Sequence, residues 1–95
     1  MHAALSTLLL AGLLAAHSAH AQDLKVGPAA TVESVIAAQK GKRLTLRTRS
    51  GQELTGVVRE VTPRLVQLGA LSGREFFDAV VPLDAVEAVI VRTKE

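Results

Sequence analysis

Residues 44–61, LTLRTRSGQELTGVVREV, alternate between apolar and polar side chains, and this alternation constrains the fold more than any other stretch of the chain. Leu44 and Leu46 fall on one side of a first predicted strand, and Leu54 and Val58 fall on one side of a second. A repeat of two residues is the period of a β-strand with one buried face. The stretch therefore predicts a β-hairpin whose leucine and valine side chains face a core.

The loop of this hairpin sets the register between its strands. A loop of Ser50-Gly51-Gln52 brings the two apolar faces to the same side, whereas a two-residue loop sets a basic side chain opposite a leucine. The predicted inner pairs are Thr48 with Leu54, Leu46 with Gly56 and Leu44 with Val58. Arg49 then faces Glu53 as an opposite-charge pair. Because Gly56 has no side chain to pack, we expect it to mark a sharp bend of the kind small barrels need.

One helix is predicted before the hairpin. The helix is predicted over Thr31 to Lys40, TVESVIAAQK. Pro28 would lie in its first turn, and Gly41, just past its end, would be a left-handed C-cap. The apolar positions have the spacing of one helical face and are Val32, Val35 and Ile36.

Three further strands are predicted after the hairpin, separated by turn residues. They are a third strand around Val66 and Leu68, a fourth over Arg74 to Val81 and a fifth over Val86 to Val91. A short helix followed by five short strands predicts a mostly β fold, a closed or nearly closed antiparallel small barrel.

The hairpin resembles the first motif of the Sm-like protein family. The shared pattern is apolar-x-apolar, a turn at Gly51, and then Leu54-x-Gly56-x-Val58-x-x-Val61. The preceding helix and the closing VPLDAVEAVIV are similar to the family's plan, so the resemblance covers residues 31–92. SH3-like barrels of other families share the hairpin pattern. The resemblance implies an N-terminal helix followed by a five-stranded antiparallel barrel, and an oligomer that pairs the fourth strand of one copy with the fifth of the next.

The resemblance implies no RNA-binding residue. Family members that bind uridine-rich RNA use an Asp and an Asn after the second strand, where this chain reads VTPRLVQL. They also use a basic-Gly pair or a Tyr-Lys-His-Ala run near the last strands, where this chain reads VVPLDAVEAVIV. We therefore expect the barrel without the RNA site.

Residues 1–21 predict a signal peptide. The uncharged run LLLAGLLAA at 8–16 is too short to span a bilayer, which needs about 20 residues. Ala19 and Ala21 form a small-x-small cleavage site, which predicts a periplasmic or secreted mature chain, with a linker over 22–30 and the helix and barrel over 31–92. The alternatives are a helix of the mature protein or an uncleaved anchor, because the segment before the run has neither Lys nor Arg.

The residues after the predicted cleavage site argue against an enzyme, a metal and a cofactor. All three His residues precede Gln22, and the chain has no Cys. The common general base, the strongest nucleophile and most transition-metal ligands are thus missing. A hydrolase is left only with carboxylates, which in a small barrel are usually solvated: Glu60, Glu75, Asp78, Asp84 and Glu87. With no disulfide, so small a domain needs very regular packing or burial against copies or a partner.

A basic patch is predicted on and beside the hairpin. Its members are Lys40, Lys42, Arg43, Arg47, Arg49 and Arg59. A functional patch would bind anionic lipid as a peripheral membrane contact, nucleic acid or an acidic protein. The other interpretation, which we favour, is edge-strand charge that discourages aggregation. A net charge of only +2 and the lack of interleaved aromatics argue against nucleic acid.

An apolar interface is predicted on the last two strands. Phe76 and Phe77 are neighbours and would point to opposite faces of the fourth strand. In the fifth strand Val86, Ala88 and Ile90 would form one face, and Val89 and Val91 the other. Strands apolar on both sides are buried on both sides, by the helix or by a partner. The predicted interface is Phe76, Phe77, Val89 and Val91, which serves association with a second copy or with an envelope protein.

Overall fold

The computed structural model describes residues 24–94. The signal segment, including Ala19 and Ala21, lies outside the described residues, and residues 24–30 form neither helix nor strand. The elements are α1 (Val32–Ala37), β1 (Arg43–Thr48), β2 (Glu53–Val61), β3 (Leu65–Gly69), β4 (Ala79–Pro82) and β5 (Val86–Ile90), with a 3₁₀ turn at Leu83–Ala85. The strands form one antiparallel sheet in the order β4-β3-β2-β1-β5. The predicted mostly β fold of one helix and five antiparallel strands is confirmed.

Helix α1 is shorter than predicted because it ends at Ala37 rather than at Lys40, while a capping box sets its start at Thr31. The Thr31 hydroxyl accepts from the Ser34 amide at 3.0 Å, and the Ser34 hydroxyl accepts from the Thr31 amide at 2.9 Å. Pro28 therefore precedes the helix, and its predicted place in the first turn is wrong. The predicted apolar face is also too broad, since Ile36 is fully buried whereas Val32 is exposed. Gly41 has a φ of +85°, the left-handed conformation expected of it.

The hairpin has the predicted faces but a different register. Leu46 pairs with Leu54 and Leu44 with Gly56, two residues away from the predicted pairing. The loop is centred on Gly51, which has a φ of +92° and donates its amide to the Thr48 carbonyl at 2.8 Å. This is the geometry of a short hairpin loop that contains a left-handed glycine. Because the error is two residues, each side chain stays on its predicted side of the sheet.

Gly56 lies where the end of β3 comes closest to β2. A Cβ atom at Gly56 would be 2.7 Å from the Gly69 carbonyl oxygen and 3.0 Å from Leu71 Cδ2. No side chain fits this gap, so glycine lets the strands approach and lets Leu71 enter the core. The sequence pattern predicted the special role of Gly56, and the close contact is its physical reason.

The fourth strand begins five residues later than predicted, because residues 71–78 form two turns. The Arg74 amide donates to the Leu71 carbonyl at 2.9 Å, and the Phe77 amide donates to the Arg74 carbonyl at 2.9 Å. Gly73, in the first of these turns, adopts a left-handed φ of +85°. The prediction that Phe76 and Phe77 lie on opposite faces of β4 is therefore wrong.

A bulge between β1 and β5 changes the predicted face assignment of β5. Leu46 pairs with Val89, but Thr48 pairs with Val86, so β5 has one extra residue between these two pairs. Val86, Val89 and Val91 consequently all pack on the core. Ala88 and Ile90 face outward, which corrects the predicted grouping of Val86 with them.

The core lies inside the curved sheet, with α1 against β2 and β5. Its buried members are Ile36, Leu44, Leu46, Val58, Val66, Leu68, Leu71, Val81 and Val86. The sheet is open, since no β4–β5 pairing occurs among the described strands. The fold is thus a small barrel that is not closed by backbone hydrogen bonds between β4 and β5.

We expect Gly56→Ala to lower the free energy of unfolding by about 2 kcal/mol, because the new methyl group meets a backbone carbonyl that cannot easily move. Urea unfolding followed by circular dichroism measures the change. Gly27→Ala is the matched control, since a Cβ atom at Gly27 would meet nothing within 4 Å. Equal stability of the two variants would show that β3 does not approach β2 as closely as described.

Candidate functional site

Strand β4 presents one open edge of the sheet. The Leu83 amide donates to the Arg64 carbonyl at 2.8 Å, and Leu65 pairs with Pro82 and Gln67 with Val80. In an antiparallel ladder hydrogen-bonded and non-hydrogen-bonded pairs alternate, which places Val80 in a non-hydrogen-bonded pair with β3. The Val80 amide and carbonyl therefore point away from β3. Its side chain is 60% exposed on the outer face.

Strand β5 presents the other open edge. Ile90 is 45% exposed on its outer face, so each edge strand carries an exposed apolar side chain there. Val89 and Val91 are half-buried against the core rather than fully exposed. Their role in an interface stays a prediction.

The turns that precede β4 carry two exposed aromatic side chains, which we call the Phe tip. Phe76 is 99% exposed and Phe77 is 61% exposed. The Phe tip leads into the β4 edge, whereas Val89 and Val91 lie on the β5 side of the sheet. The structure therefore does not join the four predicted interface residues into one surface along one strand.

The basic patch is divided among several local contacts. Three of its cations pair with carboxylates: Lys40 with Glu60 at 3.0 Å, Arg47 with Glu53 at 3.1 Å and Arg59 with Asp78 at 3.9 Å. The predicted ion pair of Arg49 with Glu53 is wrong, because the register gives Glu53 to Arg47.

The other patch members differ in what they contact. Arg43 donates to the Ala70 carbonyl at 3.1 Å, and Arg49 donates to the Asp84 carbonyl at 2.6 Å. Lys42 has no carboxylate partner for its side chain within residues 24–94. Because most of the patch is occupied locally, its capacity to bind a distant anion is reduced.

Arg59 is redirected by a bulge in β2. The register shifts between Val58 and Glu60, so Arg59 is the extra residue. Its guanidinium covers Gly69, where an added Cβ would overlap it, and reaches Asp78. Asp78 also accepts from the Gln67 side-chain amide at 2.9 Å. Asp78 was predicted only as a solvated carboxylate, and the structure shows it anchoring the start of β4.

A groove of about 440 Å³ lies where the β2–β3 and β4–β5 turns meet. It is lined by Pro63, Arg64, Leu65, Val80, Pro82, Leu83 and Asp84. These are the turns in which the Sm-like resemblance places RNA-binding residues, and here they bring together apolar side chains with one cation and one carboxylate. The groove adjoins the β4 edge, so it extends the apolar outer face of that edge.

Two features of the described part of the chain bear on chemistry. Among residues 24–94 no three metal-ligating side chains come together as a group. In the same range no helix has the length and apolar character needed to cross a bilayer.

The fold is similar to that of a known protein. The crystal structure of an SmAP (LSm) protein from Methanococcus vannielii matches with a TM-score of 0.58 and 17% sequence identity, over 70% of this chain and 100% of that one. No protein-family model matches the chain, and neither does a curated protein. The Sm-like fold that the hairpin predicted is confirmed, and an identity this low bears on the fold alone.

We expect removal of the acidic partners to unmask the basic patch. Glu53→Gln/Glu60→Gln frees Arg47 and Lys40, and should raise the affinity for a single-stranded oligonucleotide. The slope of log K against log salt should steepen by roughly 1.4, the value for two phosphate contacts. Fluorescence anisotropy across a salt series measures both quantities.

The control has the same change in net charge. Glu33→Gln/Glu87→Gln removes two carboxylates that form no ion pair within the described residues. If both double variants shift the affinity equally, net charge rather than local pairing determines how the chain meets anions.

Proposed function

We propose that this chain is an exported, non-enzymatic assembly module whose copies associate by pairing the β4 edge of one with the β5 edge of the next. The observation that carries the proposal is the pair of open edges, each with an exposed apolar side chain, Val80 on β4 and Ile90 on β5. An exposed strand edge is a template for pairing with another chain unless charge or proline blocks it.

The edges are only partly protected. Pro82 ends β4, but the free backbone groups of Val80 lie before it. On β5 the exposed outer side chain is Ile90, and Glu87 lies at the bulge. The Thr48 amide donates to the Gln52 carbonyl on the β2 side, so alternation directs the backbone groups of Ile90 to β1 and those of Val89 to the open edge. In a shared antiparallel ladder Val80 would therefore lie opposite a residue such as Val89 of the next copy, where cross-strand apolar pairs stabilise the sheet.

Stability gives a second reason for association. The 74 residues from Gln22 to Glu95 that would remain after cleavage contain no Cys, so no disulfide holds the fold. Domains this small rarely gain much stability from one core. Pairing the edges would satisfy free backbone groups and bury the outer apolar side chains at the same time.

The two edges differ, which determines the kind of assembly. Pairing β4 with β5 uses two different surfaces, so it is a head-to-tail contact that either closes into a ring or continues as a filament. The proposal is a closed ring, because the curved sheet turns each copy relative to the next. An envelope protein that supplies a strand to either edge is the alternative partner of the same kind.

The remaining observations favour binding over catalysis. Residues 22–95 contain no His and no Cys. The carboxylates that a hydrolase would require are divided, with Glu60 paired to Lys40 and Asp78 next to Arg59. The electrostatic alternative through the basic patch has less support, since most of that patch has local partners.

We expect Val80→Pro to abolish association while preserving the fold. Proline removes the amide that points away from β3, and it removes no hydrogen bond from the β3–β4 ladder. Sedimentation velocity should show an oligomer for the wild-type chain and a monomer for the variant.

Val80→Thr is the matched control, because threonine keeps both the amide and the branched shape. It should assemble nearly as well as the wild-type chain. A wild-type chain that is monomeric at high micromolar concentration, or a Val80→Pro variant that assembles normally, would contradict pairing through β4.

Export is tested separately. When the full chain is expressed in a bacterium from its first codon, we expect an envelope fraction whose mass begins at Gln22. Ala19→Arg/Ala21→Arg should block the cleavage and leave the longer chain. An uncleaved wild-type chain in the envelope would indicate a retained anchor, and an uncleaved chain in the cytoplasm would contradict export.

A further inference from the structure

We propose that the Phe tip docks on the surface of an anionic lipid bilayer. Phe76 and Phe77 are exposed side by side, 99% and 61%, on the segment between β3 and β4. This surface shares only Arg43 with the basic patch and does not include the edge contact, so it adds a second binding function to the proposed assembly.

The Phe tip is held in place from several sides. Leu71 is buried in the core, and the Ser72 amide donates to the Thr55 carbonyl at 2.9 Å. Beyond the tip, Asp78 accepts from Gln67 at 2.9 Å. Two exposed phenyl groups on an anchored turn remain in water at a cost that a partner would remove. Little ordering entropy is lost on docking because the tip is already shaped.

The charges beside the Phe tip favour an anionic surface. Arg74 is exposed and forms no ion pair within residues 24–94, and Arg43 contacts only neutral oxygens, of Ala70 at 3.1 Å and Ser72 at 3.4 Å. Glu75, which follows Arg74 in the sequence, is the nearby carboxylate that forms no ion pair within residues 24–94.

The other acids near the tip are already balanced. Asp78 lies 3.9 Å from Arg59, and Glu53, which lines a shallow pocket with Arg74, is paired with Arg47. The segment therefore presents excess positive charge around its two aromatic side chains. Basic residues near an anionic leaflet are attracted to it, and apolar side chains enter the headgroup boundary.

The shape of the tip favours a bilayer over a protein pocket. Phe76 projects with almost its whole surface in water, and the adjacent pocket between β2 and the turn is lined mainly by polar residues. A convex aromatic tip can enter a soft lipid boundary without a complementary cavity, whereas a protein partner needs one.

Assembly would multiply this contact. A closed ring places every copy of the Phe tip on the same face, so weak single contacts act together. This multiplication rests on the proposed assembly, whereas the contact of one copy does not.

The test uses the absence of Trp from the chain. Phe76→Trp in the full chain introduces a single fluorophore at the tip. Its emission should shift to the blue on addition of vesicles of phosphatidylcholine with one quarter phosphatidylglycerol, and brominated lipids should quench it. Leu65→Trp, at the other end of the β3–β4 hairpin, is the matched control and should not respond.

The vesicle partition coefficients of further variants measure the apolar and the electrostatic contributions to lipid binding. Phe76→Ser/Phe77→Ser should lower the vesicle partition coefficient by at least about tenfold, and Arg74→Gln by about fivefold. Pure phosphatidylcholine should bind the wild-type chain more weakly than the anionic vesicles. Because every variant has the same N-terminus as the wild-type chain it is compared with, a difference between them reports on the tip.

Sedimentation separates this proposal from assembly. Phe76→Ser/Phe77→Ser should keep the oligomeric state of the wild-type chain while losing lipid binding. If this variant dissociates, or if the Phe76→Trp variant already emits in the blue before lipid is added, a second copy covers the tip and the lipid proposal is wrong. An emission of the Phe76→Trp variant that both kinds of vesicle leave unchanged also overturns the proposal, whatever the oligomeric state.

Discussion

The close approach of β3 to β2 at Gly56 is the constraint on which the rest of the structure depends. The Gly69 carbonyl occupies the space that a side chain at Gly56 would need, 2.7 Å from the position of its Cβ. This approach lets Leu71 enter the core from beyond the end of β3. The chain then has to leave the core again, and it does so through two turns that carry the Phe tip outward. One missing side chain in β2 thus leads to an exposed surface about twenty residues further along.

The charged residues show how neighbours in sequence become separated in space. Lys40, Arg47 and Arg59 each meet a carboxylate from another segment, and Arg43 and Arg49 bind backbone carbonyls instead. Exposed pairs of this kind contribute about 0–1 kcal/mol each. Their main consequence is local neutralisation rather than stability. Positive charge therefore remains around Arg74 and Arg43, which have no carboxylate partner within residues 24–94, and not along the whole hairpin.

Local patterns predicted some elements well and others poorly, for identifiable reasons. The faces of β1 and β2 follow from alternation, because Leu44, Leu46 and Val58 must be buried together. The predicted register of the hairpin was wrong because Gly51, in a left-handed conformation, closes the loop. The alternation of apolar and polar residues gives no information about the geometry of that loop. The start of the fourth strand was predicted too early because two adjacent phenylalanines have high β-propensity. In the structure, Gly73 and the hydrogen bonds of the two turns determine the backbone conformation instead. The predicted grouping of the β5 side chains was wrong because β5 contains a bulge, and this bulge depends on the pairing of β5 with β1.

The sequence by itself determined the number and order of the strands, the buried faces of the hairpin, and the lack of thiol and imidazole groups after residue 20. These properties depend on composition and on contacts between near neighbours. Only the tertiary structure decided that β4 and β5 end as open edges, that Phe76 and Phe77 lie in water, and which cations have partners. Those outcomes depend on how distant segments meet as the sheet curves, and a periodic pattern along one strand carries no information about that.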